Sequence, residues 1–251
     1  EPQRIDCLFE VARHLPPSLR IEVREVALET LSAIDQDDET WDSMYRDSVR
    51  KVIARGLAEF GWFGEALAVA QCISSENGFA DFLIKLATYL PHTMHCELVN
   101  MARSVHLVND RIEIFLALIP YISEREQKKL ADETLALVRQ HCGGEDLAHG
   151  LIRLHPYHSV TQQDSLLQEA KSVATSEFRA LAEEYKAEFS GSLAIDLAIA
   201  GLPWEAMDML NTIPSDKQRK LIPEIALRMV ESGHFIEARK AVNRLSSPIE
   251  R

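Results

Sequence analysis

A metal site is the first chemistry that the sequence suggests, because His92-Thr93-Met94-His95-Cys96 places two imidazoles and a thiol together, with Glu97 next. On a helix His92 and His95 share a face, but zinc needs three or four convergent N, S or O donors. Only Glu97 or a residue from a distant part of the chain could complete that set. Polar residues opening a helix produce the same string, so a helix start is expected and no metal is assigned. His141-Cys142 and the group His149, His155 and His158 fall near expected helix ends, where an imidazole meets solvent or the negative end of the helix dipole. The acidic run Asp35-Gln36-Asp37-Asp38-Glu39-Thr40 alternates carboxylates as a calcium loop does. Thr40 stands where such a loop needs glycine, however, and Arg46 where it needs a bidentate glutamate. The run is expected to place carboxylates at the positive end of the following helix.

Covalent and phosphate chemistry find no footing. No glycine is followed by lysine, so the phosphate-binding Gly-x-x-x-x-Gly-Lys loop is missing. Neither Gly-x-Ser-x-Gly nor His-Glu-x-x-His occurs. Glu183-Glu184 has Lys186 beside it, the pattern of a solvated helix face. The sequence therefore nominates no catalytic, cofactor-binding or metal-ligating residue, and the expectation is a chain that is not an enzyme and needs no cofactor.

The elements that would position any site are more legible. Gly233-His234-Phe235-Ile236-Glu237-Ala238 recurs as Gly201-Leu202-Pro203-Trp204-Glu205-Ala206 and as Gly61-Trp62-Phe63-Gly64-Glu65-Ala66. Eight residues after each glutamate comes an apolar residue, Ile73, Ile213 or Leu245. Each copy reads as a helix closed by glycine in a left-handed conformation, then a second helix opening with Glu-Ala. A side chain at Gly233 would be penalised there, whereas Ser232 carries only its ordinary helix propensity. The repeated glutamates suit the first turn of a helix, the alanines permit close packing, and Trp62, Phe63, Trp204 and Phe235 are expected as wedges between helices.

A second phrase closes helices with proline: Val11-Ala12-Arg13-His14-Leu15-Pro16, Leu86-Ala87-Thr88-Tyr89-Leu90-Pro91, Leu116-Ala117-Leu118-Ile119-Pro120, and more weakly Leu151-Ile152-Arg153-Leu154-His155-Pro156. Glu29-Thr30-Leu31 and Glu133-Thr134-Leu135 follow two of these copies at the same distance, with Ala27 and Ala131 in register. Val23, Val26, Leu28, Leu31 and Ile34 mark one buried face of the second helix. Two intervals between junctions are longer than the rest. One contains the acidic run, and the other contains Ser176 to Phe189 and then Ser190-Gly191-Ser192, expected as a break before a short helix from Leu193 to Ala200. The junction spacing predicts an all-α chain, a right-handed α-solenoid of about seven antiparallel helix pairs occupying residues 1–251 as one repeat array.

Composition narrows the partners. Of the 251 residues, 46% are hydrophobic, and 39 acidic residues against 27 basic ones give a net charge of -12. That excess disfavours nucleic acid and anionic lipid, and it favours a positively charged contact on a protein partner. No apolar run is long enough to span a bilayer, and the sequence reads as a piece of something longer. Cys7, Cys72, Cys96 and Cys142 form no Cys-x-x-Cys pair, so a reducing, cytoplasmic setting is expected.

The Gly-x-Phe-x-Glu-Ala phrase at Gly233 resembles the helix junction of tetratricopeptide-type repeats. The Ala-x-x-Leu-Pro phrase, with Ala27, Leu28 and Leu31 in the helix after it, looks like the degenerate helical repeats of large bacterial signalling ATPases of the STAND type, where they lie carboxy-terminal to the nucleotide-binding module. That resemblance implies a non-catalytic sensor or protein-interaction module of a multidomain signalling protein, binding a macromolecule on a curved surface. A stand-alone scaffold for complex assembly is the alternative, and a metal-dependent enzyme using His92 and His95 is the third reading.

Overall fold

The computed structural model describes residues 2–36, 42–74 and 78–243, and these fold into fourteen α-helices and three 3-10 turns with no strand among the described residues. The chain divides into two compact units, Glu1–Ser123 and Glu124–Arg251. The first holds α1 (Pro2–Ala12), α2 (Pro17–Gln36), α3 (Ser43–Glu59), α4 (Phe63–Gln71), α5 (Phe79–Ala87), α6 (His95–Arg103) and α7 (Val108–Leu118). The second holds α8 (Glu124–His141), α9 (Gly144–Leu154), α10 (Val160–Ala180), α11 (Glu183–Ile199), α12 (Pro203–Leu210), α13 (Ser215–Glu231) and α14 (Phe235–Asn243).

The three glycine junctions share one hydrogen-bonded form. Gly61, Gly201 and Gly233 have φ of 86°, 73° and 84°. The residue after each glycine donates its N–H five positions back: Trp62 to Leu57, Leu202 to Leu197 and His234 to Met229, at 2.9, 2.9 and 2.7 Å. The glycine N–H takes the carbonyl three back in each case. These paired bonds satisfy carbonyls that the helix end leaves open, and only glycine occupies the left-handed position without steric cost. Ala66, Ala206 and Ala238 are buried just beyond, as close helix packing requires.

Two proline junctions form a second shared unit. Ile119–Tyr121 and His155–Tyr157 are 3-10 turns with proline at the middle position, each followed by an extended residue, Ile122 or His158. Both of those side chains are buried, so an imidazole occupies in one copy the place that isoleucine fills in the other. Thr30 and Thr134 likewise repeat a bond, each hydroxyl donating to the carbonyl four residues back.

In the first unit α1, α3, α5 and α7 pack on one another in sequence, with α2 against α1 and α3, α4 against α3, and α6 between α5 and α7. In the second, α9, α11 and α13 do the same, and α10, α12 and α14 pack on α9, α11 and α13 respectively. At the centre of this second unit, α11 is buried on several sides, including Phe189, Leu193, Ala194, Leu197 and Ala198.

Four sequence expectations need correction. Ser190-Gly191-Ser192 is not a break, because α11 runs through it. Ser190 and Gly191 are buried, and a Cβ on Gly191 would lie 2.8 Å from Leu221 Cδ1, so small residues let α13 approach. Trp204 and Phe235 are not wedges, being 58% and 65% exposed, and Lys240 Nζ sits 4.6 Å over the Trp204 ring. Val26 is 44% exposed, because α2 is covered mainly along Ala27 and Ile34. Ser232 is more than a helix former: its hydroxyl donates toward Ala198 O at 2.8 Å and toward Arg228 O at 2.8 Å, which ties α13 to the end of α11. Asp37, Asp38, Glu39, Thr40 and Leu245 lie outside the described residues. Asp42 caps α3, accepting the Tyr45 N–H at 2.7 Å.

Candidate functional site

The imidazoles that suggested a metal site each meet a backbone carbonyl. His95 is buried at the start of α6, and its Nε2 lies 2.9 Å from Ala87 O at the end of α5. His92 Nδ1 lies 2.8 Å from Tyr121 O, and the two rings stand 5.5 Å apart edge to face. Both rings can donate to carbonyls left open where a helix or 3-10 turn stops. Among the described residues, no three His, Cys, Asp or Glu side chains converge as a metal would require.

A different histidine holds more chemistry. His149 on α9 places Nδ1 2.6 Å from Asp196 Oδ2 and Nε2 3.2 Å from Ser192 Oγ, both on α11. Glu145, one turn before it, lies 3.5 Å from Nε2. Burial opposes charge on this ring, but the Asp196 hydrogen bond and the two carboxylates outweigh it and raise the pKa above 6.5. Serine, histidine and aspartate here have the distances of a nucleophile relay, yet the group is built for another role. The Ser192 hydroxyl donates to Phe189 O at 3.0 Å. Ser192 also lies inside α11, where neighbouring N–H groups are spent on the helix ladder and none is free to hold an oxyanion. The group clasps α9 to α11. Sequence spacing within α11 could have suggested it, since Ser192 and Asp196 are one turn apart, but their partner comes from another helix.

Above that clasp lies an apolar slot of about 320 Å³. Leu167, Ala170, Ala174 and Phe178 of α10 form one wall, and Met209 of α12 forms the other with Glu205, Asp208 and Thr212. Ile152 of α9 and Phe189, Leu193 and Leu197 of α11 make the floor. His149 meets the Phe189 ring edge-on at 6.3 Å, so the clasp fixes part of this floor. The slot follows from an uneven layer: α12 packs against α14, whereas the faces of α10 and α12 stand apart across it. α10 buries Leu166, Ala170 and Ala174, and Ala170 and Ala174 face the slot together with Leu167, Lys171, Thr175 and Phe178. Lys171 Nζ bridges to Glu205 Oε1 at 3.7 Å, and Lys186 Nζ lies 5.2 Å from the Phe178 ring centroid. Glu205 and Asp208 make the α12 lip acidic, and α12 itself carries no basic residue.

Sequence periodicity predicts helices in this region but does not reveal the slot, and α10 runs on to Ala180 through the stretch from Ser176 that the sequence assigned to the excess of the long interval. The residues that line α10 follow the same three/four spacing as a core face, and periodicity cannot say whether a partner covers them. The recurrent glutamates gain a shared role that was missed: Glu65 and Glu205 each receive a cation, Arg24 of α2 and Lys171 of α10.

Among the described residues no helix is long and apolar enough to cross a membrane. No protein-family model, curated protein or solved structure matches this chain.

Proposed function

We propose that this chain is a non-catalytic protein-recognition module of a larger signalling protein, built as a right-handed α-solenoid of about seven helix pairs. The repeats are of the degenerate tetratricopeptide-like kind found beside the nucleotide-binding module of bacterial STAND-type ATPases. The α10–α12 slot carries the reading, because it offers apolar side chains at helical spacing with an acidic lip and, among the described residues, no covering element. With a net charge of -12, the partner is a protein with a basic contact rather than nucleic acid or a membrane. The four cysteines, none of them in a disulfide, fit a reducing cytoplasm.

Selection of peptides from a random display library on the purified chain tests this, followed by hydrogen exchange on the selected complexes. Protection concentrated in α10 and α12 is the expected result. Failure to select any binder, or near-stoichiometric zinc lost on His92→Ala and His95→Ala, would sink the reading and revive a metal-dependent enzyme. The scaffold alternative differs in its neighbours: a nucleotide-binding module encoded upstream in the full-length sequence favours the signalling protein.

A further inference from the structure

The geometry points to a specific occupant for the α10–α12 slot: a short amphipathic helix that lowers apolar side chains between the walls and sets a lysine or arginine against Glu205 and Asp208. This inference rests on the recognition reading and names the class of partner.

Length comes first. Leu167 and Phe178 lie eleven residues apart on one side of α10, so the slot follows that helix for about 16 Å. A helix of about three turns matches this, and its residues at i, i+3 or i+4, and i+7 fall on one line above the slot.

The chemistry of the walls excludes an extended peptide. All lining residues except Thr212 belong to helices, whose interior N–H and C=O groups are already paired. The slot offers only side chains, and Leu167, Ala170, Ala174, Phe178, Leu193 and Met209 have no strong donors or acceptors. An extended backbone lying at depth would leave its own polar groups unsatisfied, each at the cost of its lost hydration. A helix satisfies its backbone internally and presents only side chains, so it alone matches walls of this kind.

Charge selects the sign of the flanking residue. α12 has Glu205 and Asp208 toward the slot and no lysine or arginine anywhere along it. Glu205 is shared with Lys171 at 3.7 Å, while Asp208 is exposed. A cation on the incoming helix therefore pairs with Asp208, and an anion there is repelled.

Fluorescence anisotropy with labelled probe peptides of about 14 residues, long enough for the slot, tests the assignment. One probe contains leucine and lysine patterned as an amphipathic helix, a second replaces lysine with glutamate, and a third is the leucine–lysine probe with a central proline. In about 150 mM salt, the leucine–lysine helix should bind about tenfold tighter than either alternative. Leu167→Glu should weaken it about tenfold, and Met209→Glu provides a second block from the opposite wall in case the first variant does not fold. Asp208→Lys should weaken it about fivefold, whereas Glu22→Lys, the same charge change on exposed α2, should alter it less than about twofold. Equal binding of the proline probe would overturn the helical occupant. Leucine–lysine binding that ignores Leu167→Glu and Met209→Glu would overturn the slot while leaving protein recognition standing elsewhere on the chain. Binding of the apolar dye anilinonaphthalene sulfonate, blocked by Leu167→Glu and without binding of any peptide, would assign the slot to a small apolar molecule instead. Binding of neither dye nor peptide would remove the proposal together with the observation that carries the recognition reading.

Discussion

Gly233 and its neighbour separate two demands that one residue position can make. The left-handed backbone of Gly233 penalises any Cβ, and a β-branched one most, although nothing lies within 4 Å of the added atom. Gly233→Val should lower stability by about 1–2 kcal/mol and Gly233→Asn by less, since asparagine tolerates that conformation, as read from denaturant midpoints. His149 and His158 make opposite demands on pH. The folded pKa of His149 is raised above 6.5, so its stabilisation is complete below that value and is lost as pH rises through the folded value. His149→Gln should therefore cost about 1.5 kcal/mol near pH 5.5 and less near pH 8.5, in paired thermal or denaturant melts. Burial lowers the pKa of His158, whose ring nitrogens have no hydrogen-bond partner and whose Nδ1 stands 3.6 Å from Asp132. Its neutral form favours the fold above pH 6.5, and that contribution is lost as pH falls toward the folded value. His158→Ile, which copies Ile122 in the matching junction, should raise stability by about 1 kcal/mol, with the larger gain at low pH. No gain at any pH would mean that the two junctions are not equivalent.

The decisive case among the elements is α11. Were Ser190-Gly191-Ser192 a break, filling Gly191 would be harmless. In the structure it is the point where Leu221 of α13 presses on α11. Gly191→Val should destabilise by about 1–3 kcal/mol through overpacking, and Leu221→Ala in the same chain should recover part of that loss. Simple additivity of the two changes would place the helices further apart. The excess residues of this long interval thus extend α10 and α11 instead of forming a loop. The eight-residue α12 then leaves the far longer face of α10 open. α10 becomes one wall of a slot because its neighbour is short.

For the whole molecule, the dominant quantity is the charge of -12. Such a field raises the rate at which a basic ligand arrives and does little to hold it once the apolar contacts form. The association rate of the leucine–lysine probe should fall about tenfold between about 20 and about 500 mM salt, with dissociation changed far less, in stopped-flow anisotropy. Leu167→Glu should show the reverse pattern and act mainly on dissociation. A salt effect confined to dissociation would mean that the charges act at contact range only.

The helical character of the described residues and the helix ends at the glycine and proline junctions were legible in the sequence, whereas the stop between α10 and α11 was not. Those features are local: three/four spacing decides which face is apolar, glycine at Gly61, Gly201 and Gly233 permits the left-handed closure, and Pro16, Pro91, Pro120 and Pro156 each lie just past a helix end, although Pro223 is held inside α13. Only the tertiary structure decided what those faces meet. Periodicity is the same whether Leu167 faces a partner or an open slot, whether Trp204 is wedged or exposed, and whether Gly191 interrupts a helix or admits Leu221. His149, Ser192 and Asp196 likewise become one group only when α9 lies against α11, since hydrogen bonds depend on distance in space and the sequence records only distance along the chain.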